Sequence, residues 1–248
     1  MAIAFSIYSK IPVPQFEWKE EDMEYMMCFF PWIGGVIGMF FFGWAVLCEK
    51  FAVGNVCYAL IGAAIPLMIS GGFHVDGYMD TMDAFHSYQS REKKLEILKD
   101  SHIGAFAAIM LALYYMIDIA AISEIHTQKA VSAVAAVFFL ARCFSGIAVM
   151  TLQPAKKEGL LYTFASSAQK VRVKAALYFQ TALCVVLMLL VSGWYGAAAI
   201  GAALLSFFYF KKKSYKELGG ITGDTAGFFV TVCEAAAAAA VAVAGYFL

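Results

Sequence analysis

The chain is poor in charge and has no cysteine pattern of the kind that organises small disulfide or zinc domains. Charged residues make up 15% of its 248 residues, and 18 basic side chains are balanced by 18 acidic ones. With no excess of positive charge, we expect no nucleic-acid partner. The six cysteines include no Cys-x-x-Cys pair, so the sequence predicts neither a zinc site nor a disulfide framework.

Hydrophobic residues are abundant instead. They make up 62% of the chain, whereas soluble domains have about 45–50%. A spanning helix needs about 20 apolar residues, and residues 193–196 read Gly-Trp-Tyr-Gly, which is typical of a tight turn between helices. We therefore expect an all-α, polytopic transmembrane helical bundle in the lipid bilayer, with one domain over residues 1–248. The predicted spans, about seven, are residues 25–48, 51–73, 103–123, 130–155, 175–210 (two spans) and 225–248.

The basic residues are distributed unevenly between alternate loops. If seven spans alternate from the N-terminus, only Lys50 and Lys129 among the loop cations fall on the second side, and Arg142 lies within a span. Loops rich in Lys and Arg face the cytoplasm. We therefore expect a cytoplasmic N-terminus and cytoplasmic loops at residues 74–102, 153–174 and 211–224.

An acidic run follows directly on the second predicted span. Asp76, Asp80 and Asp83 are spaced at i, i+4 and i+7, so they share one face of a helix. Three carboxylates this close repel one another unless a cation neutralises them, and hard oxygen ligands suit Mg²⁺ or Mn²⁺. A solvated helical face is the alternative interpretation. The Gly71-Gly72 break at the end of a span favours a metal site.

A polar segment at residues 91–104 carries further candidates. Arg91 and Lys99 are suited to phosphate contacts, since cations near a metal site typically clamp phosphates. Asp100 is a candidate metal or hydrogen-bond ligand. Lys93 and Lys94 are interpreted as surface charges on an amphipathic interfacial helix.

Two more sets of polar residues are predicted to reach the same side. An ionised residue within a span, such as Arg142, is a functional hypothesis by default. The Gly-rich stretch at residues 219–224 ends in Thr222 and Asp224, and such a turn before a helix exposes amides that bind phosphate or a nucleotide. Helix capping is the alternative for Asp224. Glu234 lies deeper in the last span, as a site residue or a helix-pairing residue.

His74 precedes the acidic run and is a candidate general base or a hydrogen-bond donor. An aspartate that is not fully committed to a metal, such as Asp80, is the alternative base. Lys156 and Lys157 are either positive anchors at a span end or site residues.

Together these motifs resemble the cobalamin synthase family (adenosylcobinamide-GDP ribazoletransferase) over nearly the whole chain. Lys10 stands where the family's Arg-x-Pro-x-Pro element has Arg, and Lys156-Lys157 stand where it has Arg-Glu. The matching motifs are Phe30-Pro31-Trp32-Ile33-Gly34, Gly71-Gly72-Phe73-His74-Val75-Asp76-Gly77-x-x-Asp80-Thr81-x-Asp83, Arg91 through Gly104, Ala141-Arg142, Ala155-x-x-Glu158-Gly159-Leu160, and Gly219-Gly220-x-Thr222-Gly223-Asp224 with Glu234.

The resemblance implies a reaction. Adenosylcobinamide-GDP and α-ribazole, or its 5′-phosphate, give adenosylcobalamin, or its 5′-phosphate, and GMP, with Mg²⁺ required. It implies metal ligands at Asp76, Asp80 and Asp83, a catalytic role for His74 or Asp80, and a bacterial or archaeal cytoplasmic membrane. The implied substrate-binding residues are Arg91, Lys99, Asp100, Arg142, Thr222, Asp224 and Glu234. The oligomeric state, including a homo-oligomer, stays open.

Two alternatives compete with this hypothesis. A CDP-alcohol phosphotransferase-like lipid synthase also uses helical aspartates and Mg²⁺, but its Asp-Gly-x2-Ala-Arg pattern has Ala where this chain has Asp80. A divalent-cation transporter predicts ionisable residues spread through the middle of the membrane, whereas most here cluster at one end of the spans.

Overall fold

The computed structural model describes residues 1–14, 24–156, 159–166 and 169–247. Lys157 and Glu158 lie outside this part of the chain. Within it every regular element is a helix, apart from one isolated β-bridge, and the predicted all-α class is confirmed. The helices are α1 (Ala2–Tyr8), α2 (Met26–Phe51), α3 (Asn55–Ser70), α4 (Phe73–His86), α5 (Arg91–Ile97), α6 (Ala105–Ile122), α7 (Gln128–Thr151), α8 (Leu160–Ala165), α9 (Lys170–Ser192), α10 (Trp194–Leu218) and α11 (Gly223–Gly245).

Five described helices, α2, α6, α7, α9 and α11, are long and apolar enough to cross a membrane. If the bent pair α3 and α4 is counted as one broken span, the number of candidate spans rises to six. The helix α10 is not one of these candidates. The predicted turn after α9 is confirmed, because the helix ends at Ser192 and the next begins at Trp194. About seven spans is therefore roughly consistent with the structure, while the cytoplasmic N-terminus stays a prediction.

The bundle has central and peripheral helices. The most apolar windows of α7 and α11 are 78% and 72% buried within the protein, whereas those of α6 and α9 are only 22% buried. Apolar side chains on α6 and α9 therefore face outward, as lipid contact requires. The α7 and α11 helices form the core against which the other helices pack.

Glycines allow α2 to lie directly on α7. A Cβ atom added at Gly34 would collide with the backbone of Phe138, and one at Gly38 would collide with the backbone of Ala135. These glycines form a Gly-x-x-x-Gly pattern, which lets two membrane helices approach closely and gain van der Waals contact.

The chain turns sharply between α3 and α4. Gly71 and Gly72 have φ values of 67° and 85°, a left-handed conformation that glycine adopts without a Cβ penalty. The two helices are bent by 96° at this break. With 14 residues, α4 is about 21 Å long, too short to cross a hydrocarbon core of about 30 Å. The acidic run therefore lies on a helix that turns away from the preceding membrane segment.

Asp83 joins the end of α4 to the start of α6. The backbone N–H groups of Gly104 and Ala107 donate hydrogen bonds of 2.7 and 2.8 Å to the two carboxylate oxygens of Asp83. A side chain at Gly104 would collide with this carboxylate. Backbone N–H groups at the start of α6, which have no partner within that helix, thus donate to a residue from another helix.

Two loops at the same end of the bundle are joined by backbone hydrogen bonds. Pro154 and Ile221 form a parallel bridge in which Ala155 N–H donates to the Ile221 carbonyl at 2.8 Å, and Ile221 N–H donates to the Gln153 carbonyl at 2.9 Å. The Gln153 N–H also donates to the Tyr215 hydroxyl at 2.8 Å. The segment after α7 is therefore held against the segment that precedes α11.

The short helix α5 is attached to the end of α10. Lys94 is buried and forms an ion pair with Glu217, which also accepts a hydrogen bond from Lys213 at 2.9 Å. Burial opposes ionisation of Glu217, yet the hydrogen bonds from both lysines lower its pKa. The prediction that Lys94 is a surface charge is wrong, because its ammonium group is used inside the structure. Lys93, which is exposed and paired with Glu96, fits that prediction.

Replacing Gly34 with Leu tests the close contact between α2 and α7. We expect a loss of about 1–3 kcal/mol or more, because overpacking forces the helices apart. The measurement is the thermal unfolding midpoint of the detergent-solubilised protein. Gly43→Leu on the same helix is the control, because a Cβ at Gly43 meets no atom of the described residues within 4 Å. Equal midpoints for the two variants would contradict the packing described.

Candidate active site

A cavity of about 480 Å³ opens where the loops after α7 and α10 meet the first turns of α4 and α11. We call it the main cavity. Its polar and charged lining brings together four separate parts of the chain: the start of α4, the segment after α5, the segment after α7 and the start of α11. The predicted site residues that line it are His74, Asp76, Lys99, Thr222 and Asp224, and Lys156 lines it as well.

The start of α4 and the start of α11 touch through glycines. A Cβ at Gly77 would lie 2.8 Å from the Asp224 carbonyl oxygen, and one at Gly227 would lie 3.2 Å from the His74 carbonyl oxygen. Glycine at position 77 permits this approach, because a Cβ there would collide with the backbone of Asp224, and a Cβ at Gly227 would be tightly packed. The contact places the carboxylates of Asp76 and Asp224 on the walls of one cavity.

Asp80 lies one turn beyond Asp76 and is half-buried. Burial, followed by the negative charges of Asp76, Asp224 and Asp83, raises the pKa of Asp80 to about 6. The ionised form is thus disfavoured by neighbours that are themselves acidic. A bound cation would relieve this repulsion.

The carboxylates fit Mg²⁺ as an ion shared with a substrate. Within the described residues, no group of three or more His, Cys, Asp or Glu side chains is gathered tightly enough to hold a metal by itself. Mg²⁺ commonly uses only one or two protein carboxylates and takes its remaining ligands from water and substrate phosphates. Asp76 and Asp80 suit that role. Each carboxylate oxygen of Asp83 accepts a hydrogen bond from a backbone N–H at the start of α6. This structural role is observed, whereas the role of Asp83 as a metal ligand stays a prediction.

His74 projects into the main cavity from the first turn of α4. It is buried, and its Nε2 has no hydrogen-bond partner among the residues that the structure describes. Burial, then the positive charge of Arg142, lowers the pKa of His74 well below its usual value. Tyr8 stacks on the imidazole with ring centroids 6.3 Å apart, and Phe30 meets it edge-on at 5.6 Å. The site therefore holds a neutral imidazole that is oriented by two aromatic rings, and its Nε2 is buried without a partner among the described residues.

The first turn of α11 forms another wall. Thr222 caps the helix, because its hydroxyl accepts from Thr225 N–H at 3.2 Å while its own N–H donates to the Thr225 hydroxyl at 2.8 Å. Helix capping was the alternative role predicted for Asp224. The capping residue is instead Thr222, and Asp224 lies within the first turn of the helix. The positive end of the helix dipole is therefore directed at the cavity.

Lysines supply the positive charge of the cavity. Lys99 and Lys156 line it, and the Lys156 ammonium donates to the Leu95 carbonyl at 3.0 Å, which ties the segment after α7 to α5. The predicted phosphate contact by Lys99 is compatible with this position. Arg91 lies apart from the lining, with its guanidinium packed against Gly219.

Asp100 also lies apart from the main cavity. Its exposed carboxylate accepts from His102 N–H at 3.0 Å and lies 2.6 Å from His102 Nδ1. The Asp100 side chain thus closes a local turn, and the structure does not support the predicted ligand role for it.

Arg142 and Glu234 form a buried ion pair between α7 and α11, and neither lines the main cavity. Arg142 Nη1 donates to Glu234 Oε1 at 2.6 Å and to the Phe138 carbonyl at 2.8 Å, and the two residues are 1% and 8% exposed. Both were predicted to be substrate-binding residues, with helix pairing as the alternative for Glu234. The structure shows the helix-pairing role, because an unpaired charge inside the bundle would be costly.

Aromatic walls of the cavity were not predicted. Tyr8, Phe30, Phe73 and Phe164 line it together with Ser145. In the sequence, apolar residues that line a cavity cannot be told from residues that face lipid. The one indication was that Phe30 and Phe73 lie within motifs that resemble those of the family.

The chain matches the family description "Cobalamin-5-phosphate synthase" over residues 1–242. It is 44% identical over 242 residues to the adenosylcobinamide-GDP ribazoletransferase of Lachnoclostridium phytofermentans, covering 98% of this chain and 92% of that protein. It is 30% identical to proteins of the same name from Clostridium botulinum, over 94% of this chain and 93% of the relative, and from Azorhizobium caulinodans, over 94% and 91%.

No solved structure matches this chain. The family match extends across all the helices that form the main cavity. The acidic helix α4, the joined loops and the capped start of α11 are thus parts of a protein that belongs to the cobalamin-5-phosphate synthase family.

Proposed function

We propose that this protein transfers the adenosylcobinamide-phosphate group of adenosylcobinamide-GDP to α-ribazole or α-ribazole 5′-phosphate, with release of GMP. The names of its relatives support this reaction. The observation that carries it is the convergence of acids, lysines and an unpartnered histidine nitrogen on one cavity beside the capped start of a helix. Such a set suits a diphosphate and an attacking hydroxyl.

In the proposed step, a ribose hydroxyl oxygen of the acceptor forms a bond to the phosphorus that carries the cobinamide alcohol. The bond from this phosphorus to the bridging oxygen breaks, and the bridging oxygen leaves with GMP. The hydroxyl proton goes to the His74 imidazole, because this ring lines the main cavity and its lowered pKa keeps it neutral. Asp80 is the alternative proton acceptor.

Mg²⁺ held by Asp76 and Asp80 would neutralise the diphosphate oxygens and the departing phosphate. Lys99 and Lys156 contribute further positive charge at the wall of the cavity. The start of α11, with Thr222 and Asp224, offers a helix dipole and hydrogen-bonding groups to the nucleotide. Arg142 and Glu234 hold α7 and α11 together beneath these groups.

The proposed location is the cytoplasmic membrane of a bacterium or archaeon, with the main cavity open to the cytoplasm. The concentration of Lys and Arg in the loops that form the cavity supports this orientation. The transferase names of the relatives favour the proposal over the lipid-synthase and cation-transporter alternatives.

Membranes containing the protein should release GMP from adenosylcobinamide-GDP when α-ribazole and Mg²⁺ are both present. Asp76→Asn and Asp80→Asn should each lower this rate by at least about 100-fold, which corresponds to about 2.7 kcal/mol. Glu96→Gln, which removes an exposed carboxylate paired with Lys93, is the control and should leave the rate unchanged. No Mg²⁺-dependent release by the wild type would overturn the proposed function.

Removal of His74 tests the assigned base. We expect His74→Asn to lower kcat by about 10²–10⁴-fold, the usual contribution of general acid–base catalysis, while the KM for adenosylcobinamide-GDP changes little. The measurement is the steady-state rate of GMP release at several donor concentrations. A variant with wild-type kcat would assign proton transfer to another group, with Asp80 the next to examine.

Asp83→Ala separates the capping role of this residue from a metal role. We expect the free energy of unfolding to fall by about 1 kcal/mol through loss of the cap on α6, equally with and without Mg²⁺. Thermal unfolding in detergent at the two Mg²⁺ concentrations provides the measurement. A loss of stability that occurs only when Mg²⁺ is present would instead make Asp83 a metal ligand.

A further inference from the structure

A second cavity of about 460 Å³ lies beside the first turn of α4. It is formed by the end of α1, the turn between α3 and α4, and one side of α4, and we call it the Lys10 cavity. Phe73 and Asp76 line both this cavity and the main cavity. The two spaces are therefore neighbours that share the wall carrying Asp76.

The position of Lys10 in this cavity is fixed by the local structure. Ser9 ends α1, since its hydroxyl donates to the Phe5 carbonyl at 2.6 Å and accepts from Ile11 N–H at 3.3 Å. Lys10 N–H then donates to the Ile69 carbonyl at 2.8 Å. The aliphatic part of Lys10 crosses Gly71, where an added Cβ would lie 2.5 Å from its Cγ and 2.6 Å from its Cε. Glycine at this position adopts the φ of 67° without a Cβ penalty and leaves room for the lysine side chain.

The chemistry of the Lys10 cavity suits a small anion. Lys10 forms no side-chain hydrogen bond or ion pair with any residue in the described ranges, although it lines a polar cavity. Ser6 also lines this cavity, whereas the hydroxyls of Ser9 and Ser70 donate to the carbonyls of Phe5 and Pro66. The exposed ammonium group of Lys10 at a polar cavity is a typical contact for a phosphate.

We infer that the Lys10 cavity binds the acceptor substrate, and that Lys10 contacts the phosphomonoester group of its phosphorylated form. This inference rests on the proposed function. The donor diphosphate then occupies the main cavity, and the acceptor reaches it across the shared wall at Asp76.

The arrangement meets a requirement of phosphoryl substitution, in which the attacking and leaving oxygens lie roughly in line on the two sides of phosphorus. An acceptor in the Lys10 cavity approaches from a space other than the one that holds the departing GMP. Its ribose hydroxyl forms the new bond to phosphorus, its proton passes to His74, and its phosphomonoester remains unchanged at Lys10.

Kinetics with two acceptors test the assignment. In full-length Lys10→Gln, we expect the KM for α-ribazole 5′-phosphate to rise about tenfold, the effect of losing one charge-assisted contact at a solvated site. The KM for unphosphorylated α-ribazole, the KM for adenosylcobinamide-GDP and kcat should stay within about twofold of the wild type. Lys10→Arg should restore most of the affinity for the phosphorylated acceptor.

Lys93→Gln is the matched control, because Lys93 is an exposed lysine that is paired with Glu96 and lines neither cavity. This variant should leave the KM for each of the two acceptors unchanged. An equal rise in KM for both acceptors in Lys10→Gln, or no rise for either, would overturn the inference. If the wild type releases no GMP with either acceptor, the proposed function itself is overturned, so the two failures are distinguishable.

Discussion

The contact between α4 and α11 is the constraint on which the rest of the site depends. Gly77 and Gly227 let the two backbones approach so closely that a methyl group at Gly77 would strike Asp224. This approach brings Asp76 of α4, the His74 imidazole and the capped start of α11 around a single cavity. Carboxylates that repel one another are thereby held together by van der Waals packing elsewhere on the same helices, and a bound cation would offset the electrostatic cost.

Much of this arrangement could be predicted from the sequence because it is periodic or local. The aspartate spacing matched the helix of α4, the Gly71-Gly72 pair marked the break, and long apolar runs located the membrane helices. The grouping of Asp76 with Asp224 followed from placing their loops on one side of the bundle. Lipid leaves the backbone few options other than helices, which makes such predictions stronger in membranes than in water.

The partners of individual charges could not be predicted in the same way. Which residues Asp83, Lys94 and Arg142 contact depends on the rotation and depth of helices that are far apart in sequence. A charge in an apolar segment is costly wherever it lies, and either a ligand or a buried partner satisfies it. The sequence shows that Arg142 is a charge within an apolar segment. Only the packing of the helices shows that Glu234 is its partner.

The bend of 96° between α3 and α4 also determines how the acidic residues are presented. A helix that continued through the bundle would stack its carboxylates at increasing depth, so that each successive one lay farther from water. Because α4 is nearly perpendicular to α3, Asp76, Asp80 and Asp83 are arranged in a row that runs at about a right angle to α3. The polar face of α4 is thereby presented along its length at one end of the bundle, instead of reaching progressively deeper into the apolar interior.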